Sequence, residues 1–162
     1  MTEHSRASYE QLKVLDICCQ IEEHCSELYQ YFAEIHHEDR DVALIWSLTA
    51  VDEDNHVRLF QMASRLKGEG IIELFITAKS AMEMLNNMKT LLKNVHNKPP
   101  SIITALRFTI RMEKNLSQIH LGHIAHFSDE HTKRLFSSTL KRNQERINQL
   151  ERVIAEMVEK GP

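Results

Sequence analysis

The sequence predicts an all-α protein, a bundle of two helical hairpins joined by a long, partly helical crossover, and three observations carry that expectation. Glycine supplies only 4 and proline only 3 of the 162 positions, too few chain breakers for a many-turned β fold. Apolar residues recur at steps of three and four along five stretches of the chain, the period of an amphipathic helix. Hydrophobic residues at 42% and charged residues at 27% give a globular balance, enough for one domain with a buried core. The chain is therefore read as a single domain over residues 1–162.

The first helix is expected from about Ser8 to His36, with Leu15, Cys18, Cys25, Tyr29 and Phe32 on its apolar seam. His36 to Asp39 form a polar break. A second helix runs from about Arg40 to Lys67, carrying Val42, Ile45, Thr49, His56, Leu59, Ala63 and Leu66 on one face, and Gly68 and Gly70 end it. The crossover, about residues 68–100, holds a shorter Met- and Leu-rich helical region from Ile71 to about His96, broken near its start. Pro99 and Pro100 stop it, and Ser101 is the expected N-cap of the next helix. That fourth helix reads Leu106, Ile110, Leu116, His120, His123 and Phe127, with a turn at Ser128 to Glu130. The last carries Phe136, Leu140, Ile147, Leu150, Ile154 and Met157.

The net charge is −3, from 20 Lys and Arg against 23 Asp and Glu, with the signs interspersed. Such a surface lacks the basic footprint of a nucleic-acid or anionic-membrane binder, so neither partner is expected. No apolar run approaches the roughly 20 residues that span a bilayer, and no signal-like apolar region opens the chain. Cys18, Cys19 and Cys25 are odd in number and crowded together, which argues for free thiols in a reducing, cytoplasmic setting rather than a disulfide framework.

Carboxylates inside apolar seams are the informative anomaly, because an unpaired buried charge is costly. Glu22 lies seven residues after Leu15 and seven before Tyr29, on the seam of the first helix. Glu113 occupies the seam of the fourth helix, three residues after Ile110. Glu53 and His56 sit at i and i+3 in the middle of the second helix, one turn apart on one face, so both can reach a single cation. Mixed oxygen and imidazole donors suit iron, manganese or zinc better than calcium. His120, seven residues after Glu113, is the one further histidine placed to join them, or else a hydrogen-bonded core residue.

The local sequences Glu22-Glu-His-Cys-Ser-Glu-Leu-Tyr-Gln-Tyr-Phe-Ala33, Glu53-Asp-Asn-His56-Val-Arg-Leu-Phe60 and Arg111-Met-Glu113-Lys-Asn resemble, in order, three bundle helices of the rubrerythrin group of ferritin-like proteins. The resemblance implies a ferritin-like four-helix bundle with Glu22, Glu53, His56 and Glu113 as iron ligands, a homodimer, and peroxidase or ferroxidase chemistry at a di-iron centre with an unidentified redox partner. The family's second Glu-x-x-His, on the last helix, has no counterpart here. Lys141, Gln144 and Ile147 take that face, or Asn143 if the register slips by one, while Glu145 faces away and Glu151 lies a turn below. Three carboxylates and one imidazole under-ligate two irons. The expected site is therefore a degenerate one, either a partial site for a single iron, zinc or manganese ion with His120 as a fifth candidate, or a metal-free polar network with Lys141 and Gln144. One alternative stays open, a working di-iron oxidoreductase completed by His120, water or Glu151. A non-catalytic signalling bundle, such as a histidine phosphotransfer module acting through His123, leaves the buried carboxylates unexplained. Cys18, Cys25, Tyr29, Tyr31 and the Met-rich stretch (Met82, Met84, Met88) are read as packing.

Overall fold

A computed structural model describes residues 8–138 and 140–161, without the side chains of residues 140 and 141. The described chain is mostly helical: α1 (Tyr9–Ile35), α2 (Arg40–Arg65), β1 (Ile71–Leu74), α3 (Ala78–Asn97), α4 (Ile102–Leu116), α5 (Leu121–Ile124), β2 (Ala125–Phe127), α6 (Glu130–Ser137) and α7 (Leu140–Lys160). Helix starts fall where a short polar side chain can accept from an orphan backbone N–H. Ser8 and Gln11 form a capping box on α1, and Asp39, Thr77, Ser101 and Asp129 cap α2, α3, α4 and α6. After α2 the chain reverses through Lys67, Gly68 and Gly70, all at positive φ. At Gly70 a Cβ would also meet Thr132 Cγ2 at 2.8 Å, so glycine is required there by both backbone and packing.

Helix α1 is the hub. It packs against α2 along its length and against α3, while α4 packs on α7 and α7 meets α2. The Tyr31 hydroxyl donates to the Val95 carbonyl at 3.3 Å and its ring stacks on His96, which sets the end of α3 beside the end of α1. Phe32 of α1 meets Trp46 of α2 and Phe108 of α4, and the Trp46 indole N–H donates to Thr109 Oγ1 at 2.9 Å. These aromatics bury a large apolar area at one level and join three helices there.

The expected seam of α1 is buried throughout. That of α2 is buried at Val42, Ile45, Thr49, His56 and Ala63, but Leu59 is half-buried and Leu66 is exposed. Trp46, Glu53 and Phe60, themselves seven residues apart, fill the face as well, as a long helix kept against its neighbour at heptad spacing requires.

The second half differs from the expectation in one important way. The fourth helix stops at Leu116 instead of continuing to Phe127. A single 3-10 turn over Ser117–Ile119 follows, and His120 then takes an extended conformation (φ −57°, ψ 137°) before the short α5. Local side chains compete for the helix's own carbonyls here: the Ser117 hydroxyl donates to Lys114 O, and His123 Nδ1 lies 2.6 Å from Ser117 O. Ala125–Phe127 is a strand, with Ala125 and Phe127 buried and His126 exposed, a period of two within what the spacing alone reads as helix. It pairs antiparallel with β1, Ile71 opposite Phe127 and Leu74 opposite Ala125, so the start of the crossover is strand as well. Ser128 and Asp129 bend as expected. The last helical stretch is divided into α6 and α7.

One ion pair fixes α7 on α2. Arg146 Nε and Nη2 both donate to Asp52 Oδ2, at 3.1 and 2.9 Å, on the mostly buried seam between the helices. The Lys114–Glu151 pair joining α4 to α7 is solvent-exposed. Arg146→Ala is expected to lower unfolding stability by about 2 kcal/mol and Lys114→Ala by less than about 1 kcal/mol, read from urea midpoints; equal effects would contradict this assignment of the clamp.

A candidate metal centre

Midway along the bundle, Glu22 of α1, Glu53 and His56 of α2, and His120 of the irregular segment converge, each offering a ligand atom within 4.8 Å of the others. All four are buried. His56 Nδ1 lies 3.0 Å from Glu53 Oε2 and 3.6 Å from Glu22 Oε2. His120 Nε2 lies 3.7 Å from Glu22 Oε1, and the two imidazole rings are 4.1 Å apart. The i, i+3 spacing of Glu53 and His56 turns both into the cluster, as their helix face requires. His120 arrives by a different route: the break after α4 frees its backbone, and the extended residue aims its ring at Glu22 and His56.

Glu113 stands beside this cluster rather than within it. It is buried on the α4 seam, and the Tyr29 hydroxyl donates to its Oε1 at 2.7 Å. Tyr29 lies seven residues after Glu22 on α1, and a buried phenol requires a polar partner.

Most of the donors in the cluster are unsatisfied. Both oxygens of Glu22, Oε1 of Glu53 and both ring nitrogens of His120 are buried without a hydrogen-bond partner. A buried polar atom left unpaired costs about 1–3 kcal/mol, and these atoms lie close enough together that they could hold a metal ion. The donor set of two carboxylates and two imidazoles fits zinc, ferrous iron or manganese.

Electrostatics sharpen that description. Burial, and then the neighbouring Glu22 carboxyl, push Glu53 up to about 8. Glu113 is raised well above the usual carboxylate range, by burial and then by Glu53. Burial opposes the charged form of His56, but the adjacent Glu22 and Glu53 carboxyls outweigh it and carry His56 up to about 11. His120 falls to about 2, through burial and then the nearby His56 charge. Without a metal, the proton on His56 is the cation among these carboxylates, and His120 is neutral.

The last helix turns its face by one residue from the leading register. Asn143, Ile147 and Leu150 are buried, while Gln144 is exposed and donates to Asn148 Oδ1. Gln144 is therefore not part of a polar network with the buried carboxylates, and the side chain of Lys141 lies outside the described residues. Glu145 is exposed, and Glu151 is held at the surface by Lys114. Asn143 is the inward polar group of this helix, and the one-residue slip is set by Arg146 gripping Asp52 from three positions further on.

The other candidates lie apart. His123 and His126 are exposed, and His24 pairs with Glu27 at 3.6 Å. The thiols of Cys18 and Cys25 are buried against the site; burial, then Glu22, pushes Cys18 up to about 12 and raises Cys25 in the same way, the opposite of a reactive thiolate. Among the described residues no helix is long and apolar enough to cross a membrane. No protein-family model, curated protein or solved structure matches the chain.

The metal-free protein is expected to lose stability as pH rises from 6.5 to 8. Glu53 and Glu113 have folded values above their unfolded ones, so the stability tied to their protons is lost on going up. His56, raised to about 11, acts in the same direction above 6.5. His120, lowered to about 2, contributes its full stability above 6.5 and adds no slope there. Urea midpoints in chelator that stay level or rise across this window would contradict these assignments.

Proposed function

We propose that the chain is a rubrerythrin-like, ferritin-like helical bundle whose centre holds one metal ion, with Glu22, Glu53, His56 and His120 as ligands and Glu113 supporting Glu53 from the adjoining position. The observation that carries this reading is the convergence of unpartnered buried donor atoms from three segments of the chain on one point. A bound divalent cation would supply Lewis acidity, or one-electron chemistry if it is iron or manganese. The chain's own groups do the rest: Glu22 and Glu53 balance the charge, His56 and His120 complete the donor set, and Tyr29 fixes Glu113 through its hydroxyl. The inward face of α7 offers Asn143 and Ile147 where a second ion would need a carboxylate and an imidazole, which favours one ion over two.

Metal content per chain, measured after anaerobic loading with ferrous iron, and separately with zinc or manganese, followed by desalting, is expected to be close to one equivalent. Glu53→Ala and His56→Ala should each remove it while retaining the helical circular dichroism. Retention of no metal by the wild type would overturn the reading; two irons would replace it with a di-iron oxidoreductase and direct attention to peroxide turnover. Because a cation must displace the protons of Glu53 and His56, affinity should rise between pH 6 and 8 by about tenfold per pH unit for each proton released.

The homodimer implied by the resemblance has a suitable face. Leu44, Leu48 and Val51 form an exposed apolar stripe on α2. A two-fold axis midway between Leu48 and Val51 would set each Leu48 against the other copy's Val51 and exposed Asp41 against exposed Arg58, giving the self-complementarity an isologous contact needs. Light scattering on the eluting protein should give twice the chain mass, and Leu48→Glu should halve it; a monomeric wild type would remove the proposal.

A further inference from the structure

Beside the cluster, on the seam of α2 and α7, lies a small cavity of about 10 Å³ lined by Asp52, Asn55, His56, Arg142 and Asn143. That is the size of a single water molecule. His56 therefore faces the carboxylates with Nδ1 and borders a water-sized space on the seam. Asn143 borders the same space, and its Oδ1 is buried without a partner.

We propose that Asn143 is a positioning residue for the metal centre, accepting through one water in this cavity the hydrogen that His56 carries on Nε2. The inference rests on the one-metal reading above. A neutral imidazole has one N–H and one lone pair. If Nδ1 gives its lone pair to a cation held with Glu22 and Glu53, Nε2 must carry the hydrogen, and an outer acceptor for that hydrogen fixes the ring. Around the cavity Asp52 Oδ2 already accepts from Arg146 and Asn55 Oδ1 from Arg58, whereas Asn143 Oδ1 is buried with no partner at all. A water in the cavity would accept from Nε2 and donate to the orphan Asn143 Oδ1, hold the ring in one tautomer, and account for a polar residue on an otherwise apolar face of α7. The Arg146–Asp52 clamp keeps Asn143 at that position.

The test uses the full chain, zinc as the probe, and Asn143→Leu, which removes the acceptor at nearly constant volume. Wild-type protein should bind zinc with His56 in the Nε2–H tautomer, seen in long-range ¹H–¹⁵N spectra of histidine-labelled protein. Asn143→Leu should weaken zinc binding by about 10–100-fold, the usual effect of losing an outer partner of a ligating imidazole, without lowering the thermal midpoint. Asn143→Asp, which keeps an acceptor, should bind within about threefold of wild type. Zinc-loaded wild type showing His56 metallated at Nε2 would overturn the proposal even if Asn143→Leu failed to fold. Unchanged affinity in a folded Asn143→Leu would overturn it while leaving the one-metal reading intact. Wild-type protein that binds no zinc, iron or manganese would overturn both.

Discussion

Three carboxylates and two imidazoles enclosed in one water-poor core are the constraint to which the rest of the molecule answers. Glu22, Glu53, Glu113, His56 and His120 are all buried, and an isolated charge in such surroundings is among the costliest features a fold can carry. A half-satisfied polar network is worse than an apolar core of the same volume. The chain offsets this in part with protons, on His56 and on the raised carboxyls of Glu53 and Glu113, and in part with the Tyr29 hydroxyl. What protons and hydrogen bonds leave unmatched is concentrated on Glu22, Glu53 and His120.

Holding that arrangement requires helices that cannot slide. The aromatic layer of Phe32, Trp46 and Phe108 sets the height of α1, α2 and α4, and Trp46 fixes α4 again through Thr109. Below it, the Tyr29 hydroxyl donating to Glu113 Oε1 joins α1 to α4, and the Arg146 fork on Asp52 joins α7 to α2 beside Glu53. A one-residue rotation of α1, α2 or α4 would swing Glu22, Glu53 or Glu113 away from the core. His120 is the exception that needs an irregular backbone. Its segment is anchored on the far side by β2 on β1, so that a helix break still delivers a fixed ring.

The legible parts of this molecule were those written in spacing. Glu22, Glu53, His56 and Glu113 stand out because each interrupts an apolar period with a charge, and the helix starts are marked by Ser8, Asp39 and Ser101. Three features were not legible, for separate physical reasons. The break after Leu116 leaves the apolar rhythm intact, since a strand with alternating Ala125 and Phe127 supplies apolar residues at positions a helix also accepts. His120 itself stood out, seven residues after Glu113, but the route by which it reaches Glu22 and His56 depends on that break. The rotation of α7 depends on Arg146 reaching Asp52, ninety-four residues earlier, and no local pattern encodes a contact across that separation.

The two halves of the bundle contribute unequally, and the inequality bears on what the centre can hold. The first hairpin supplies Glu22, Glu53 and His56. A second hairpin of matching chemistry would place a carboxylate and an imidazole on α7; instead α7 presents Asn143 and Ile147, and the second half gives its imidazole from the break at His120 and its carboxylate from Glu113 on α4. The donors are thereby crowded toward α1 and α2, on one side of the core. A single cation placed among them would meet two carboxylates and two imidazoles, close to charge neutrality and to a complete tetrahedral set. A second cation on the α7 side would face an amide and an aliphatic side chain, neither of which balances its charge. The asymmetry thus separates the demands of one ion, which the chain can meet, from those of two, and it does so through the identity of residues on α7 rather than through any change in the helices that carry the site.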